Sequence, residues 1–547
     1  MDEDAINKKM AQIEDERLED LAKETASSTG NKYLSLRFFP VDSKTLMLVD
    51  ETAARDARAA AIARVGMTLT LAVQDPKNPR IQSIIQSLSG KGYTVAFVVV
   101  SFHSLESAWK RYKIKRKNTG DIYGLMTINE SEIETFQEKI KNIGDLKGQI
   151  IALPITQVLN ILIAGALKVG ASDIHFEPEE NEIRLRYRLD GVLTDIVMFS
   201  HSGYPSILSR VKLNAGLKIN IRKTPQDGRF TIRLHDKDIE VRVSILPGTY
   251  GENIVMRILD PSSIRQKLES LGMREDTLIL VKKLLDKPNG TILTTGPTGS
   301  GKTTTLYAFL QALNTPDIKI ITIEDPVEYH IKGISQTQVD EADGYSFAAG
   351  LRSIVRQDPD VILVGEIRDK ETAEIAMQAA LTGHLVLSTL HTNDAAGTIP
   401  RLIDLGIKPV TIAPALRATM AQRLVRRLCE RCKKKEKVRP EHIRVITEQL
   451  KKLPSFVVAP KFIESTEIFY PIGCEACAMT GYKGRVGVYE IIEIDNDMQK
   501  LILKSPALAE IQEMAVEKGL TTMLQDAFIK VVLGLTSYDE VMRVIGE

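Results

Sequence analysis

The residues that most clearly predict chemistry form a glycine-rich segment near the middle of the chain. A phosphate-binding loop must join a buried strand to a helix. Here the apolar run 291–295 precedes the segment, and 304–313 has helical spacing. Glycines in such a loop let backbone N–H groups turn inward as an anion nest at a helix N-terminus. The predicted phosphate-binding residues are Gly296, Pro297, Thr298, Gly299, Ser300, Gly301, Lys302, Thr303 and Thr304.

Two residues at the end of this segment would contact the ligand most directly. Lys302 would reach the β- and γ-phosphates, and the Thr303 hydroxyl would ligate Mg²⁺. A glycine-rich turn that matches by chance is the alternative, and the flanking strand and helix patterns disfavour it. The sequence therefore predicts a site for a nucleoside triphosphate and Mg²⁺.

Acidic residues follow two later apolar runs. The run 318–323 ends in Glu324-Asp325-Pro326-Val327-Glu328, and the run 361–364 leads to Glu366. Ligands of open α/β sheets bind at the carboxyl ends of the strands. A carboxylate there can hold Mg²⁺ through water or orient the attacking water. Glu328 and Glu366 are therefore candidate catalytic residues.

Two histidines bracket a third apolar run. His384 precedes the run 385–389, and His391 follows it. Both side chains would lie at the ends of a core strand, where they could sense the γ-phosphate or serve only in packing. The sequence leaves both alternatives open.

Arginines recur in the segment 150–263, whose runs 183–189, 229–234 and 239–246 alternate like antiparallel strands. One solvent-facing side of a sheet would account for most of them. As a group they could also form a cationic surface that faces a neighbour's nucleotide. These residues are Arg184, Arg186, Arg188, Arg229, Arg242 and Arg257.

All four cysteines of the chain occur in two Cys-x-x-Cys pairs. The pairs are Cys429/Cys432 and Cys474/Cys477. Two such pairs can give tetrahedral thiolate ligation of a structural zinc ion. Free thiols or a disulfide are the alternative, which a cytoplasmic location disfavours. Zinc is therefore the predicted metal. A basic cluster at 423–435 lies beside the first pair and is either a solvated face or a docking surface for an acidic partner or a membrane-proximal surface.

Composition limits the classes of protein to which the chain can belong. Its 547 residues are too many for one core, so about two to four domains are expected. The net charge of +1 disfavours a DNA-wrapping protein. No apolar run approaches the roughly 18 residues that span a bilayer, and the N-terminus lacks a signal-peptide core. We therefore expect a cytoplasmic chain unless a partner holds it at a membrane.

The order of patterns predicts several domains. Within the N-terminal domain, strands are predicted at 34–39, 45–49 and 69–73, and a helix at 81–88. The predicted segments are a charged arm at 1–31, a docking or regulatory domain at 32–112, a linker at 113–149, a second N-terminal domain at 150–265, and a phosphate-loop domain at 271–547 that includes a four-cysteine subdomain at 425–485.

Four motifs, in order along the chain, resemble those of the secretion ATPases that power type II secretion and type IV pilus assembly. They are the phosphate loop Gly296–Thr303, an aspartate box at 323–329, a second acidic motif at 358–368 and a histidine box at 382–392. The resemblance covers residues 32–547. Retraction-type relatives lack the four-cysteine insert and the large N-terminal domain, so the resemblance is to the assembly and secretion branch.

The resemblance implies roles for individual residues. Glu328 matches the family's general-base glutamate, and Glu366 matches the glutamate of its second acidic motif. Arg242 and Arg257 match arginines that approach the nucleotide from the preceding domain, while Arg352 and Arg356 match arginines of the ATPase core. The implied nucleotide is ATP.

The resemblance also implies an α/β fold class and an assembly. A RecA-like phosphate-loop ATPase domain, with a zinc-binding insert, would follow a PAS-like α/β domain and a small N-terminal α/β domain. Six copies would form a toroidal homohexamer, with nucleotide between the two larger domains. No Arg-Leu-Gly-x-x-Leu segment, which binds cyclic di-GMP in many pilus-assembly relatives, precedes Lys32, and we do not expect regulation by that nucleotide.

The expected function is that of a cytoplasmic, Mg²⁺-dependent ATPase that rotates domains within a hexamer. It would turn an inner-membrane platform protein that adds pilin or pseudopilin subunits to a filament. The chain would be peripheral to the inner membrane through that platform protein. A membrane-anchored assembly protein, bound by the N-terminal domain, is a further expected partner.

Two other classes of function fit parts of the pattern. A nucleic-acid motor could bind its nucleic acid through the cysteine pairs and the basic cluster, but the nearly neutral net charge disfavours direct nucleic-acid binding. A nucleotide-gated binding module would hydrolyse little, but the presence of both glutamates disfavours it. Pilus assembly, type II secretion and DNA-uptake pseudopili share these motifs, and the sequence does not separate them.

Overall fold

A computed structural model describes the chain in ten segments. They are residues 17–36, 43–65, 67–109, 112, 125–126, 155–234, 237–260, 266–341, 343–463 and 465–546. The chain forms two compact units, Met1–Ile122 and Tyr123–Glu547. Within the predicted linker the structure describes only Leu125–Met126, a short strand that belongs to a sheet of the second unit. The rest of that prediction lies outside the described residues.

The first unit is a four-stranded sheet with helices. Its strands have the order β1-β4-β3-β2, and only the β2–β3 pair is antiparallel. The strands are β1 Lys32–Tyr33, β2 Ala59–Val65, β3 Thr68–Val73 and β4 Thr94–Val99. The helices are α1 (17–29), α2 Ser43–Leu46, α3 Glu51–Asp56, α4 Ile81–Gly90 and α5 Phe102–Trp109.

The strand predicted at 45–49 is wrong. Helix α2 ends at Leu46, and a turn follows it. The Tyr112 hydroxyl donates hydrogen bonds to the carbonyls of Leu46 (2.9 Å) and Val49 (3.0 Å), which a strand would have offered to a sheet. Tertiary contacts therefore override the strand propensity of this run. Residues 34–36, the described part of the strand predicted at 34–39, are not in a strand. The strand predicted at 69–73 and the helix predicted at 81–88 are confirmed.

The second unit begins with a seven-stranded sheet, here called the N-side sheet, in the order β5-β9-β10-β11-β6-β7-β8. Buried and less buried residues alternate along its strands, and helices α6 and α7 share the core formed by the buried face. The opposite face carries the arginines. The elements are β5 Leu125–Met126, α6 Ile155–Val169, β6 Ala171–Pro178, β7 Glu182–Leu189, β8 Val192–Ser200, α7 Tyr204–Asn214, β9 Gln226–Leu234, β10 Lys237–Gly248 and β11 Gly251–Leu259.

A second seven-stranded sheet, here called the C-side sheet, has the order β14-β13-β15-β16-β12-β17-β20. All its pairs are parallel except β17–β20. Its strands are β12 Gly290–Thr295, β13 Ile320–Glu324, β14 Ser335–Gln338, β15 Val361–Val364, β16 Leu385–Leu390, β17 Leu416–Leu428 and β20 Tyr482–Glu493. Every residue of β12, β13, β15 and β16 is buried, as expected for central parallel strands covered on both faces.

Helices cover this sheet, and a small insert separates its last two strands. The helices are α8 Glu275–Leu285, α9 Lys302–Leu313, α10 Phe347–Val355, α11 Lys370–Leu381, α12 Thr398–Asp404, α13 Pro409–Ala415, α14 Pro440–Lys451, α15 Asn496–Ile502, α16 Leu508–Glu517, α17 Met523–Val532 and α18 Tyr538–Val544. The insert contains α14 and the antiparallel pair β18 Lys434–Lys437 and β19 Glu467–Tyr470. Among the described residues, no helix is both long and apolar enough to cross a membrane.

A buried charge cluster joins the C-terminal helices to the sheet. Asp526 is fully buried and accepts hydrogen bonds from Arg274 Nη1 (2.7 Å) and the Tyr489 amide (2.9 Å). It also accepts a hydrogen bond from Lys530, whose side chain is only 3% exposed. Burial lowers the pKa of Lys530, and the charge of Asp526 opposes that shift. The lysine is therefore tolerated in the core because the aspartate is present.

We expect Asp526→Ala to lower the free energy of unfolding of this unit by about 3–5 kcal/mol, because it leaves Lys530 buried without its partner. Chemical denaturation followed by circular dichroism measures the effect. Glu448→Ala is the matched control, since its i,i+4 pair with Lys452 is exposed on both sides and should leave the midpoint almost unchanged. Equal midpoints for the two variants would contradict the importance of this cluster.

Candidate functional site

The glycine-rich segment lies between β12 and α9, as predicted. Strand β12 ends at Thr295, and α9 begins at Lys302. Gly296 (φ +143°) and Gly301 (φ +89°) take left-handed backbone conformations. A Cβ atom would lie 2.5 Å from the Gln422 carbonyl oxygen at Gly296 and 2.8 Å from Gln422 Nε2 at Gly301. The backbone of β17 therefore leaves no room for a side chain at Gly296, and the left-handed φ favours glycine at Gly301.

Lys302 lies at the first turn of α9 and faces the loop. Its Nζ donates hydrogen bonds to the carbonyls of Gly296 (2.7 Å) and Pro297 (3.1 Å). Burial lowers the pKa of Lys302, the Glu366 carboxylate opposes this shift, and the Arg423 guanidinium adds to it. A half-buried ammonium group at a helix N-terminus is a strong attractor for phosphate oxygens.

A cavity of about 480 Å³ opens in front of the loop. This volume is within the usual range for small-molecule sites. Loop residues Thr298–Thr304 form one wall, and the carboxyl ends of β13 and β15 supply acidic side chains. The described acidic residues in its lining are Glu324, Asp325, Glu328 and Glu366. The structure thus brings the phosphate loop and both predicted catalytic glutamates together.

Glu366 follows β15 at the edge of the C-side sheet. One of its carboxylate oxygens contacts Arg368 Nη2, and the other lies 3.4 Å from His391 Nε2. Its side chain is 17% exposed. The carboxylate therefore lies between the Arg368 guanidinium and the His391 imidazole at the cavity wall.

Glu328 is contacted from the N-side sheet. Arg242 Nη1, on β10, lies 3.2 Å from Glu328 Oε2, and Arg242 Nη2 donates to the Val327 carbonyl at 3.1 Å. The Nε atom of the same guanidinium donates to Glu240 at 3.1 Å. One arginine of the preceding sheet thus contacts a carboxylate of this cavity.

Glu324 is the most deeply placed of these carboxylates. It accepts hydrogen bonds from the hydroxyls of Tyr307 and Thr322 and from Gln336 Nε2. Burial raises the pKa of Glu324, and these donors oppose the shift. The Tyr307 hydroxyl also accepts a hydrogen bond from the Glu328 amide (3.3 Å). Glu324 therefore anchors Tyr307, which in turn supports the backbone at Glu328.

The four cysteines converge at the base of the insert. Their sulfur atoms all lie within 4.8 Å of one another. The Cys429–Cys474, Cys432–Cys477 and Cys474–Cys477 sulfur distances are 3.9, 3.8 and 3.7 Å. These separations are far longer than the roughly 2.05 Å of a disulfide. The four thiols form one cluster with the composition of a metal site.

Comparison with known proteins identifies the family. The profile of the type II/IV secretion system protein family matches residues 151–543. The chain belongs to this family. Residues 30–118 match a second profile, that of the MshEN domain.

Two named relatives align with most of the length of this secretion ATPase. It is 38% identical over 536 residues to the type IV pilus assembly ATPase PilB of Myxococcus xanthus (98% of this chain, 92% of the relative). It is 41% identical over 455 residues to the type II secretion system ATPase E of Vibrio cholerae serotype O1 (83% and 88%). The family resemblance and the enzyme class, an ATPase, are therefore confirmed.

A solved structure shares the fold. The X-ray structure of the Yersinia pseudotuberculosis ATPase DotB matches this secretion ATPase with a TM-score of 0.51 and 20% identity, over 72% of this chain and 95% of that chain. At this identity the likeness concerns the fold alone. The α/β ATPase fold expected from the sequence is thereby confirmed.

The arginines of the N-side sheet have different surroundings in the secretion ATPase. Arg229, Arg242 and Arg257 lie directly opposite one another on β9, β10 and β11. Like charges placed in this way are destabilising, but Asp173 lies 3.0 Å from Arg257 Nε and Glu240 lies near Arg242. Arg184, Arg186 and Arg188 pair with Asp195, Glu177 and Asp173, respectively. Of the six, Arg257 lines the cavity and Arg242 contacts Glu328.

Three predicted site residues lie elsewhere. Arg352, on α10, pairs with Glu371, and Arg356 Nη2 donates to Ser353 Oγ. His384 precedes β16 at the end opposite His391, and its Nδ1 lies 2.9 Å from the Ala379 carbonyl. The described lining of the cavity includes His391 but none of these three residues. The six-residue strand between the histidines separates them by about 20 Å.

Sequence reasoning missed three residues of the cavity. Tyr307 supports Glu328, Arg368 contacts Glu366, and Arg485 enters the lining from β20. The helical spacing of 304–313 could place Tyr307 on the helix but not its hydroxyl beside Glu324. Arg368 lies within the predicted second acidic motif. Arg485 lies more than 100 residues after that motif, and no pattern in the sequence predicts that it lines the cavity.

Proposed function

We propose that this protein is a hexameric ATPase that powers pilin or pseudopilin assembly in a type IV pilus or type II secretion system. The contact of Arg242 with Glu328 carries the proposal, because it joins the N-side sheet to the nucleotide cavity. Any nucleotide-dependent movement of Glu328 would change how the N-side sheet packs against the cavity. Domain rotation driven by hydrolysis is the motion expected from such a contact. The names of the two relatives, a pilus assembly ATPase and a secretion ATPase, support the same function.

The proposed catalytic roles follow from the cavity. Lys302 and the loop amides would bind the β- and γ-phosphates. Glu328 would orient the attacking water and accept its proton. Thr303 and Glu366 would hold Mg²⁺, which would offset phosphate charge when bound. Arg242 and Arg257, acting on the bound nucleotide of their own or a neighbouring subunit, would stabilise the charge that develops during phosphoryl transfer.

The remaining predicted site residues with a proposed role are one histidine of the cavity wall and two arginines outside it. His391 is the histidine retained as a γ-phosphate sensor, because it lies beside Glu366. Arg352 and Arg356 are proposed to act on a neighbouring subunit, since their contacts here are with residues of α10 and α11. The PAS-like character of 150–265 and the domain limits given above also remain proposals.

Zinc is the proposed ligand of the four cysteines. A tetrahedral site with Zn–S bonds of about 2.3 Å has sulfur–sulfur edges of about 3.8 Å. The three measured separations of 3.7–3.9 Å fit that value. Held in this way, Cys429, Cys432, Cys474 and Cys477 would tie the end of β17 to the start of β20.

We expect the purified protein to contain roughly one zinc ion per chain. Cys432→Ser should lose most of this zinc, because three thiolates and one hydroxyl bind zinc far more weakly than four thiolates. Metal analysis by mass spectrometry measures the stoichiometry. Thr480→Ser is the matched control, because Thr480 lies beside the cluster, has no thiol and keeps a hydroxyl in the variant. Full zinc content in Cys432→Ser would contradict the proposed ligand set.

The proposed setting is the cytoplasmic side of the inner membrane, where partners would hold the protein. The cytoplasmic domain of a platform protein would receive the rotation, and the N-terminal domain would bind a membrane-anchored assembly protein. Direct nucleic-acid binding is not proposed.

The proposed function is tested by measuring ATP turnover together with oligomer mass, with and without the cytoplasmic domain of a candidate platform protein. A hexamer whose turnover rises on adding that domain is the expected result. Stimulation by DNA instead, with a steep salt dependence, would favour a nucleic-acid motor. Nucleotide binding without turnover under every condition would favour a gated binding module.

A further inference from the structure

The turn between β7 and β8 presents Asp190 in a fixed conformation. Asp190 (φ +48°) and Gly191 (φ +88°) are both left-handed. This backbone fits the two-residue turns that join antiparallel strands, in which Asp-Gly is a preferred pair. The carboxylate therefore projects from a short, tightly constrained hairpin of the N-side sheet.

Asp190 contacts the C-side sheet across the boundary between the two sheets. Its Oδ2 accepts a hydrogen bond from the Gly484 amide at 2.9 Å. Gly484 lies in β20 and is itself left-handed (φ +80°). Ala478, six residues earlier in the chain, packs against the hydrophobic core of the N-side sheet. The segment from Ala478 to Gly484 thus meets that sheet at two points.

The residue that follows Gly484 belongs to the nucleotide cavity. Arg485 is exposed and lines the cavity together with Lys302 and Glu366. Within the described parts of the chain, Arg485 makes no ion pair, whereas Arg368 and Arg257 pair with acidic residues. An exposed guanidinium group in a phosphate cavity is available to a triphosphate oxygen.

We propose that Asp190 is a positioning residue for nucleotide binding. Through the Gly484 amide it fixes the start of β20 and so holds Arg485 at the cavity wall. The affinity for nucleotide would then depend on how the N-side sheet packs against β20. This role rests on the proposed nucleotide site, and it adds a second connection to that made by Arg242.

The test compares two substitutions of Asp190 in the full-length protein. Asp190→Gly keeps the left-handed turn and removes the acceptor, while Asp190→Asn keeps both the turn preference and an acceptor oxygen. The readout is the dissociation constant of a fluorescent ATP analogue with Mg²⁺. Asp190→Gly should raise it about threefold, the change expected for one lost hydrogen bond. Asp190→Asn should remain close to the parent protein.

A double-mutant cycle with Arg485→Gln separates positioning from a general structural effect. Arg485→Gln alone should raise the dissociation constant about tenfold, as expected for a lost charge-assisted contact. Adding Asp190→Gly to Arg485→Gln should then change it little. Additive effects, or a parent-like Asp190→Gly, would overturn the positioning role while leaving the nucleotide site intact. Failure of the parent protein to bind the analogue would instead overturn the nucleotide site itself.

Discussion

Lys302→Ala is expected to abolish ATP hydrolysis by this protein. The side chain lies at the N-terminus of α9 and faces the carbonyls of the phosphate loop. No other lysine lines the cavity among the described residues, so the substitution removes its only ammonium group. Losing one such charge at a phosphoryl-transfer site costs a factor of roughly 10²–10³ or more in turnover. We expect weaker nucleotide binding as well, because Lys302 would contact phosphate in the ground state.

Steady-state ATPase assays of the purified variant measure this effect. Lys500→Ala is the matched control, because Lys500 is an exposed lysine paired with Asp497 on α15, outside the cavity lining. The control should keep parent activity, and both variants should keep the parent circular dichroism spectrum. Turnover by Lys302→Ala within a factor of about three of the parent protein would contradict the assignment, since that is no more than the effect of one lost neutral hydrogen bond.

The part of the site that sequence could predict is local in the chain. The phosphate loop, Glu328 and Glu366 meet at one cavity because each follows the carboxyl end of a buried parallel strand. The strand pattern fixes which edge of the sheet they reach. The cysteine pairs converge for a similar reason, since β17 ends and β20 begins beside them, and these two strands are neighbours in the sheet.

What could not be predicted depends on contacts between distant segments. The family resemblance predicts that Arg242 approaches the nucleotide, but its contact with Glu328 depends on how two sheets pack against each other. The link from Asp190 to Gly484 spans 294 positions and has no pattern in the sequence. His384 and His391 looked equivalent on either side of one apolar run, yet a parallel strand has only one end at the active edge.

Glu328→Gln is expected to remove nearly all ATP turnover while leaving nucleotide binding in place. The glutamine has the same shape but cannot accept a proton from the attacking water. Loss of a general base lowers the rate by a factor of roughly 10²–10⁴. The Glu328 amide keeps its hydrogen bond to the Tyr307 hydroxyl in the variant, so the backbone should not move.

The substitution also weakens the contact with Arg242, because a neutral amide replaces the carboxylate at 3.2 Å. A loss of fold or of affinity could then be mistaken for a loss of catalysis, so both must be measured. Glu51→Gln is the matched control: it likewise removes a carboxylate paired with an arginine, Arg55 on α3, but outside the cavity lining. We expect Glu51→Gln to hydrolyse ATP normally and Glu328→Gln to bind a fluorescent ATP analogue with near-parent affinity. If Glu328→Gln instead hydrolyses ATP at close to the parent rate, another group must accept the proton, and Glu366, held by Arg368 and His391, would be the next candidate.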